Sequence, residues 1–219
     1  MSSITIIAVA VLLLILLLYH IKRDNRKSAL LIKTVLSLLF VTAALIQPHL
    51  ISEYYSLLLA GLIFCLLGDI FLALPQKRMF LAGLLVFLAG HVLYLSGFLR
   101  VTEIGVWAGA GSLVIAAAGG LVYFWLRTYL GRMKIPVIFY MIVISVMLIG
   151  AWSVFGDYHL SCSGRTMVFI GALLFYLSDL FVARNRFVKK AFRNRLVGLP
   201  LYYTGQFLLA FSVGFLERL

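Results

Sequence analysis

Apolar residues run through this chain in long unbroken blocks separated by short polar connections. Eight blocks approach the length of about 20 residues that a helix needs to cross a bilayer. They cover residues 4–21, 28–46, 55–74, 79–98, 106–126, 136–155, 166–183 and 199–216. The strict apolar/polar alternation of a membrane barrel does not occur in them. In lipid only helices and closed barrels satisfy the backbone. The pattern therefore predicts an all-α, polytopic integral membrane bundle of about eight transmembrane helices, forming one domain over residues 1–219. The short connections favour antiparallel neighbours. The first block resembles a secretory signal core, but it lacks a charged leader and an A-x-A cleavage site and reads as a span.

Composition agrees with this pattern. The chain is 64% apolar, whereas a soluble domain sits nearer half. The formal net charge of +12 would suggest nucleic acid in a soluble protein. Here the charges lie in loops, where they report topology instead. Lys22, Arg23, Arg26 and Lys27 fill the first connection, Lys77 and Arg78 the third, and Arg127, Arg132 and Lys134 the fifth. The seventh holds Arg184, Arg186, Lys189, Lys190, Arg193 and Arg195. The other side carries only Arg100, Arg165 and Arg218. The bias predicts cytoplasmic basic loops, both termini outside, and a place in a bacterial inner membrane. Cys65 and Cys162 make neither a disulfide framework nor a metal cluster.

A weak internal repeat emerges from the third and seventh blocks. Residues 61–73 read GLIFCLLGDIFLA and residues 171–183 read GALLFYLSDLFVA. Each has Gly, then Asp eight residues on, then Phe and Ala. Each is followed by a span with a Gly-polar pair, Gly90-His91 and Gly205-Gln206. Spans 3–4 thus resemble spans 7–8, and two similar half-sites facing one another are expected.

Only Lys33, Asp69 and Asp179 place formal charge inside the apolar blocks. A charge at the bilayer centre costs about 2.5–3.5 kcal/mol even on the lenient insertion scale, so such residues face the bundle interior and are functional candidates. Both Asp fall roughly 7–9 Å inside the cytoplasmic helix ends. Lys33, Tyr140, Tyr202, Tyr203 and Gln206 come early in spans of the opposite direction and reach similar depth, and His91 lies deeper. Ser178 stands beside the second Asp where Gly68 stands beside the first. Convergence from separate spans is what a pocket requires. An ion pair of Lys33 with one Asp would clamp helices but leaves one acid over. Two facing carboxyls would share a proton, and one could serve as acid while the other serves as base. That chemistry suits a hydrolase whose substrate enters from lipid, and equally a proton-coupled transporter.

At these residues the chain resembles the YhhN-like lysoplasmalogenase family. The stretches are GLIFCLLGDIFLALP (61–75), FLAGLLVFLAGHVLYLSGF (80–98), YMIVISVM (140–147), GALLFYLSDLFVARNRF (171–187) and LPLYYTGQFLLAFSV (199–213), with Lys33 ahead of them. The resemblance runs from about residue 28 to 215. It implies hydrolysis of the vinyl ether bond of lysoplasmalogens to a fatty aldehyde and a glycerophospho-headgroup. The partners would then be lysophospholipid, water and the surrounding lipid, with no cofactor, metal or nucleic acid. Asp69 and Asp179 would divide the acid and water-activating roles. His91, Gln206 and the tyrosines would position water or headgroup, and Lys33 would meet phosphate or poise an Asp. An intramembrane aspartyl protease fits less well, because Leu66-Leu67-Gly68-Asp69 lacks the first glycine of GxGD and no Pro-Ala-Leu element follows.

Overall fold

The computed structural model describes residues 2–219, with the side chains of Lys77, Val106, Trp107 and Ala110 outside the described set. The Lys77 charge of the third connection therefore lies outside the described residues. Eight α-helices follow one another: α1 (Ser3–Lys22), α2 (Arg26–Leu45), α3 (Ser52–Ala73), α4 (Lys77–Val101), α5 (Val106–Leu126), α6 (Lys134–Gly156), α7 (Cys162–Ala183) and α8 (Phe192–Ser212). A 3-10 turn at Gly131–Met133 leads into α6, and a π turn at Arg184–Val188 continues α7.

Among the described residues six helices are long and apolar enough to cross a membrane: α1, α2, α3, α4, α6 with its leading turn, and α7 with its trailing turn. The chain is a multi-pass membrane protein. In α5 the described apolar stretch, Gly111–Leu126, is shorter. The eighth helix differs from its expected block. It starts at Phe192 rather than at residue 199, because the polar run Arg193-Asn194-Arg195 is helical. Pro200 consequently lies inside α8 rather than near its end. Twelve of its 21 residues are buried, against three of 20 in α1. The polar eighth helix is surrounded by protein, while the apolar first presents most of its surface outward. Protein burial explains how α8 keeps polar side chains that lipid would reject.

The closest helix pairs are α3 with α4 and α7 with α8; α8 also packs on α2, α1 and α3, and α4 packs on α6. Both close pairs cross at facing glycines. A Cβ at Gly61 would sit 3.1 Å from the Gly90 carbonyl oxygen, and one at Gly205 would sit 2.7 Å from the Gly171 carbonyl oxygen. Small residues let membrane helices approach this closely. Gly205→Val is therefore expected to cost about 1–3 kcal/mol, read as a lowered unfolding temperature in detergent. A Cβ at Gly120 would meet nothing within 4 Å, so Gly120→Ala should leave that temperature unchanged.

Candidate active site

Asp69 sits late in α3 and is 2% exposed. Three helix-borne groups contact it. Lys33 Nζ of α2 lies 2.9 Å from its Oδ1 and also donates to the Asp69 carbonyl oxygen at 3.3 Å. Ser37, one helical turn after Lys33, donates to Oδ2 at 2.5 Å. Tyr202 of α8 donates to the same oxygen at 2.8 Å. Tyr203 lies behind this shell, with its hydroxyl 3.3 Å from that of Ser37 and donating to the Lys33 carbonyl oxygen at 3.4 Å. A buried carboxylate needs charge balance and hydrogen-bond donors, and Asp69 has one cation and two hydroxyls.

Asp179, late in α7, is differently placed. It is half-buried and accepts one hydrogen bond, from Tyr140 of α6 at 2.6 Å. Among the described residues no cation lies within ion-pair distance of it. The two carboxyls do not hydrogen-bond each other, in contrast to a pair sharing one proton. Lys33 balances the charge of one acid, and aromatic rings lie between the two.

An aromatic layer joins the two acids. The Tyr202 ring stands 5.2 Å from Phe175, Phe175 stands 4.7 Å from His91, and His91 stands 5.3 Å from Tyr140. Phe87 packs edge-on to both Phe175 and Tyr202 at 6.0 Å. His91 and Gln206 are fully buried. Gln206 Oε1 accepts from Tyr94 at 2.7 Å, but Gln206 Nε2 and both His91 ring nitrogens have no partner. Leaving a buried polar atom unpaired costs about 1–3 kcal/mol, so these atoms are suited to a polar guest.

The structure thus brings Lys33, Asp69, Tyr202 and Tyr203 into one cluster and Tyr140 and Asp179 into another, with His91 between them. Ser178 belongs to neither cluster. Its hydroxyl turns back to the Phe175 carbonyl oxygen at 2.7 Å, a local bond that satisfies a buried hydroxyl within its own helix. Ser37 escaped the sequence reading, although its spacing of four from Lys33 puts both on one face of α2. Among the described residues no group of three or more His, Cys, Asp or Glu is arranged to hold a metal.

Comparison with family patterns matches residues 28–213 to the YhhN family. The chain belongs to that family. No curated protein and no solved structure matches it. The stretch shared with the YhhN family opens ahead of Lys33 and closes at the residue that caps α8. It includes every residue of both acid clusters and leaves out the peripheral helix α1.

Proposed function

We propose that this YhhN-family protein is a membrane hydrolase that cleaves the vinyl ether bond of lysoplasmalogen-type lysophospholipids. The observation that carries the reading is the unequal company of two carboxyls in one buried aromatic layer. Asp179 has a neutral donor and no cation, so it serves as the proton donor. Asp69, balanced by Lys33, serves as the carboxylate that takes a proton from water. His91 and Gln206 Nε2 offer the attacking water its remaining hydrogen bonds. All eight helices cross the bilayer in this reading, with the basic loops cytoplasmic. Spans 3–4 and 7–8 form two related halves, a relation supported by the matching Gly61–Gly90 and Gly171–Gly205 crossings.

The steps follow from general acid and base chemistry. Asp179 protonates the alkenyl carbon that is not bonded to oxygen, and the double-bond electrons form that new C–H bond. The neighbouring carbon becomes an oxocarbenium, the same kind of cation that glycosidases generate with two carboxyls. Water adds to it while Asp69 accepts a proton, giving a hemiacetal. Protonated Asp69 then returns its proton to the glycerol oxygen as that C–O bond breaks. The hemiacetal hydroxyl gives its proton to Asp179. Fatty aldehyde and glycerophospho-headgroup leave, and both acids are restored.

Purified protein incubated with alkenyl-lysophosphatidylethanolamine should release fatty aldehyde and glycerophosphoethanolamine in equal amounts. Proton flux driven by the lipid in liposomes, without either product, would replace the hydrolase with a transporter. Tyr140→Phe removes the only hydrogen bond that Asp179 accepts among the described residues, and turnover should fall by about tenfold or more. Ser178→Ala should leave turnover unchanged, because that hydroxyl bonds within its own helix.

A further inference from the structure

Beyond the acids, the end of α7 carries a second constructed feature. The π turn Arg184–Val188 and the start of α8 are tied together by two asparagines. Asn185 Oδ1 accepts from the Ala191 amide at 3.1 Å and from Asn194 Nδ2 at 3.3 Å. Asn194, 3% exposed, also donates to the Lys189 carbonyl oxygen at 2.7 Å. The Lys189 amide closes the turn onto the Arg184 carbonyl oxygen at 2.8 Å. These bonds fix a loop that would otherwise splay under its own positive charge.

The fixed loop borders an open pocket of about 400 Å³ whose lining includes Arg184, Lys189 and Arg193. Arg184 also lines an adjoining apolar groove of about 490 Å³ with Trp125, Leu180, Phe181 and Val188. One end of the combined feature is cationic and the other is apolar. Among the described residues none of the three cations has a carboxylate within ion-pair distance. The acid nearest to them in sequence, Asp179, is bonded to Tyr140. Membrane topology requires basic residues near a helix end, but it does not require them to share a pocket. Arg186 shows the contrast, since it lies over the Phe80 ring at 4.3 Å and outside the pocket.

We propose that this feature binds a two-chain anionic phospholipid. Its phosphate lies among Arg184, Lys189 and Arg193, and one acyl chain lies along Trp125, Leu180, Phe181 and Val188. Three unpaired cations select negative charge over a zwitterion. The apolar groove that shares Arg184 selects a lipid over a soluble anion. This site is separate from the acids, so its failure would leave the hydrolase reading untouched.

Trp125 gives the site its own reporter. The full chain with Trp107→Phe and Trp152→Phe keeps Trp125 as its sole tryptophan. In vesicles, phosphatidylglycerol brominated on its acyl chains should quench Trp125 at mole fractions on the order of tenfold lower than brominated phosphatidylcholine. The triple substitution Arg184→Gln, Lys189→Gln and Arg193→Gln should abolish that preference while the unfolding temperature stays unchanged. Added inorganic phosphate should leave the preference intact. Equal quenching by the two lipids, or a preference that survives the triple substitution, would overturn the proposal. Loss of the preference on adding phosphate would also overturn it, in favour of a soluble-anion site. Native mass spectrometry of the unaltered chain, with phosphatidylglycerol retained over phosphatidylcholine, makes the same comparison without tryptophan substitutions.

Discussion

Asp179→Asn is expected to lower aldehyde release by about 10²–10⁴-fold, the usual contribution of a positioned general acid, while the protein stays folded. Asparagine has nearly the volume of aspartic acid, and its carbonyl oxygen can still accept from Tyr140, now 2.6 Å from the carboxyl. It introduces no charge, and at this position no cation loses a partner. What it lacks is an acidic proton to give to the alkenyl carbon. The measurement is turnover of alkenyl-lysophosphatidylethanolamine alongside thermal unfolding in the same detergent. Full turnover in the variant would remove Asp179 from the mechanism. Loss of turnover together with loss of folding would mean that Asp179 holds the bundle together, contrary to its half-buried place with one hydrogen-bond partner.

Lys33→Met is expected to be the most destabilising single change in the site. Lys33 Nζ, 2.9 Å from Asp69, balances a carboxylate that is 2% exposed. Removing one partner of a buried ion pair costs about 3–5 kcal/mol, because the remaining charge is left uncompensated. Methionine fills much of the space of the lysine stem, so the loss reports charge rather than a cavity. The prediction has a second half. Adding Asp69→Asn to Lys33→Met removes the stranded charge and should restore most of the stability, since Ser37 and Tyr202 can still donate to the amide oxygen. Aldehyde release should not return, because the double variant has no base for the water. A Lys33→Met protein as stable as the parent would show that the ion pair does not hold α2 against α3. A double variant that regains turnover would remove Asp69 from catalysis.

Much of this architecture is legible in the sequence because lipid imposes simple requirements. The six qualifying helices follow the hydropathy blocks to within a few residues at most ends. The start of α8 does not, because Arg193, Asn194 and Arg195 look like a loop. Asn194 is nevertheless buried, through its bonds to Asn185 and to Lys189. Contacts of that kind have no signature in a hydropathy window. The glycines at 61, 90, 171 and 205 were legible as members of the repeat, but their pairing across the helix crossings was not. The partner of Lys33 was not, because pairing between helices depends on how they rotate against one another. Ser37 was overlooked for a related reason. Its spacing from Lys33 places it on the same face of α2, but only the approach of α3 and α8 gives it a role. Ser178 shows the reverse case, a polar residue beside a key Asp whose hydroxyl is spent on its own helix.

The most direct test of the central claim, that a half-buried carboxylic acid protonates carbon and water then captures the cation, is isotope placement in the products. Hydrolysis of alkenyl-lysophosphatidylethanolamine by the purified protein in D₂O, with the aldehyde trapped by borohydride, should leave one deuterium on the carbon next to the former aldehyde carbon. In H₂¹⁸O the glycerophosphoethanolamine should carry no ¹⁸O, because its oxygen stays with glycerol throughout. Aldehyde without that deuterium, or glycerophosphoethanolamine labelled with ¹⁸O, would contradict the account.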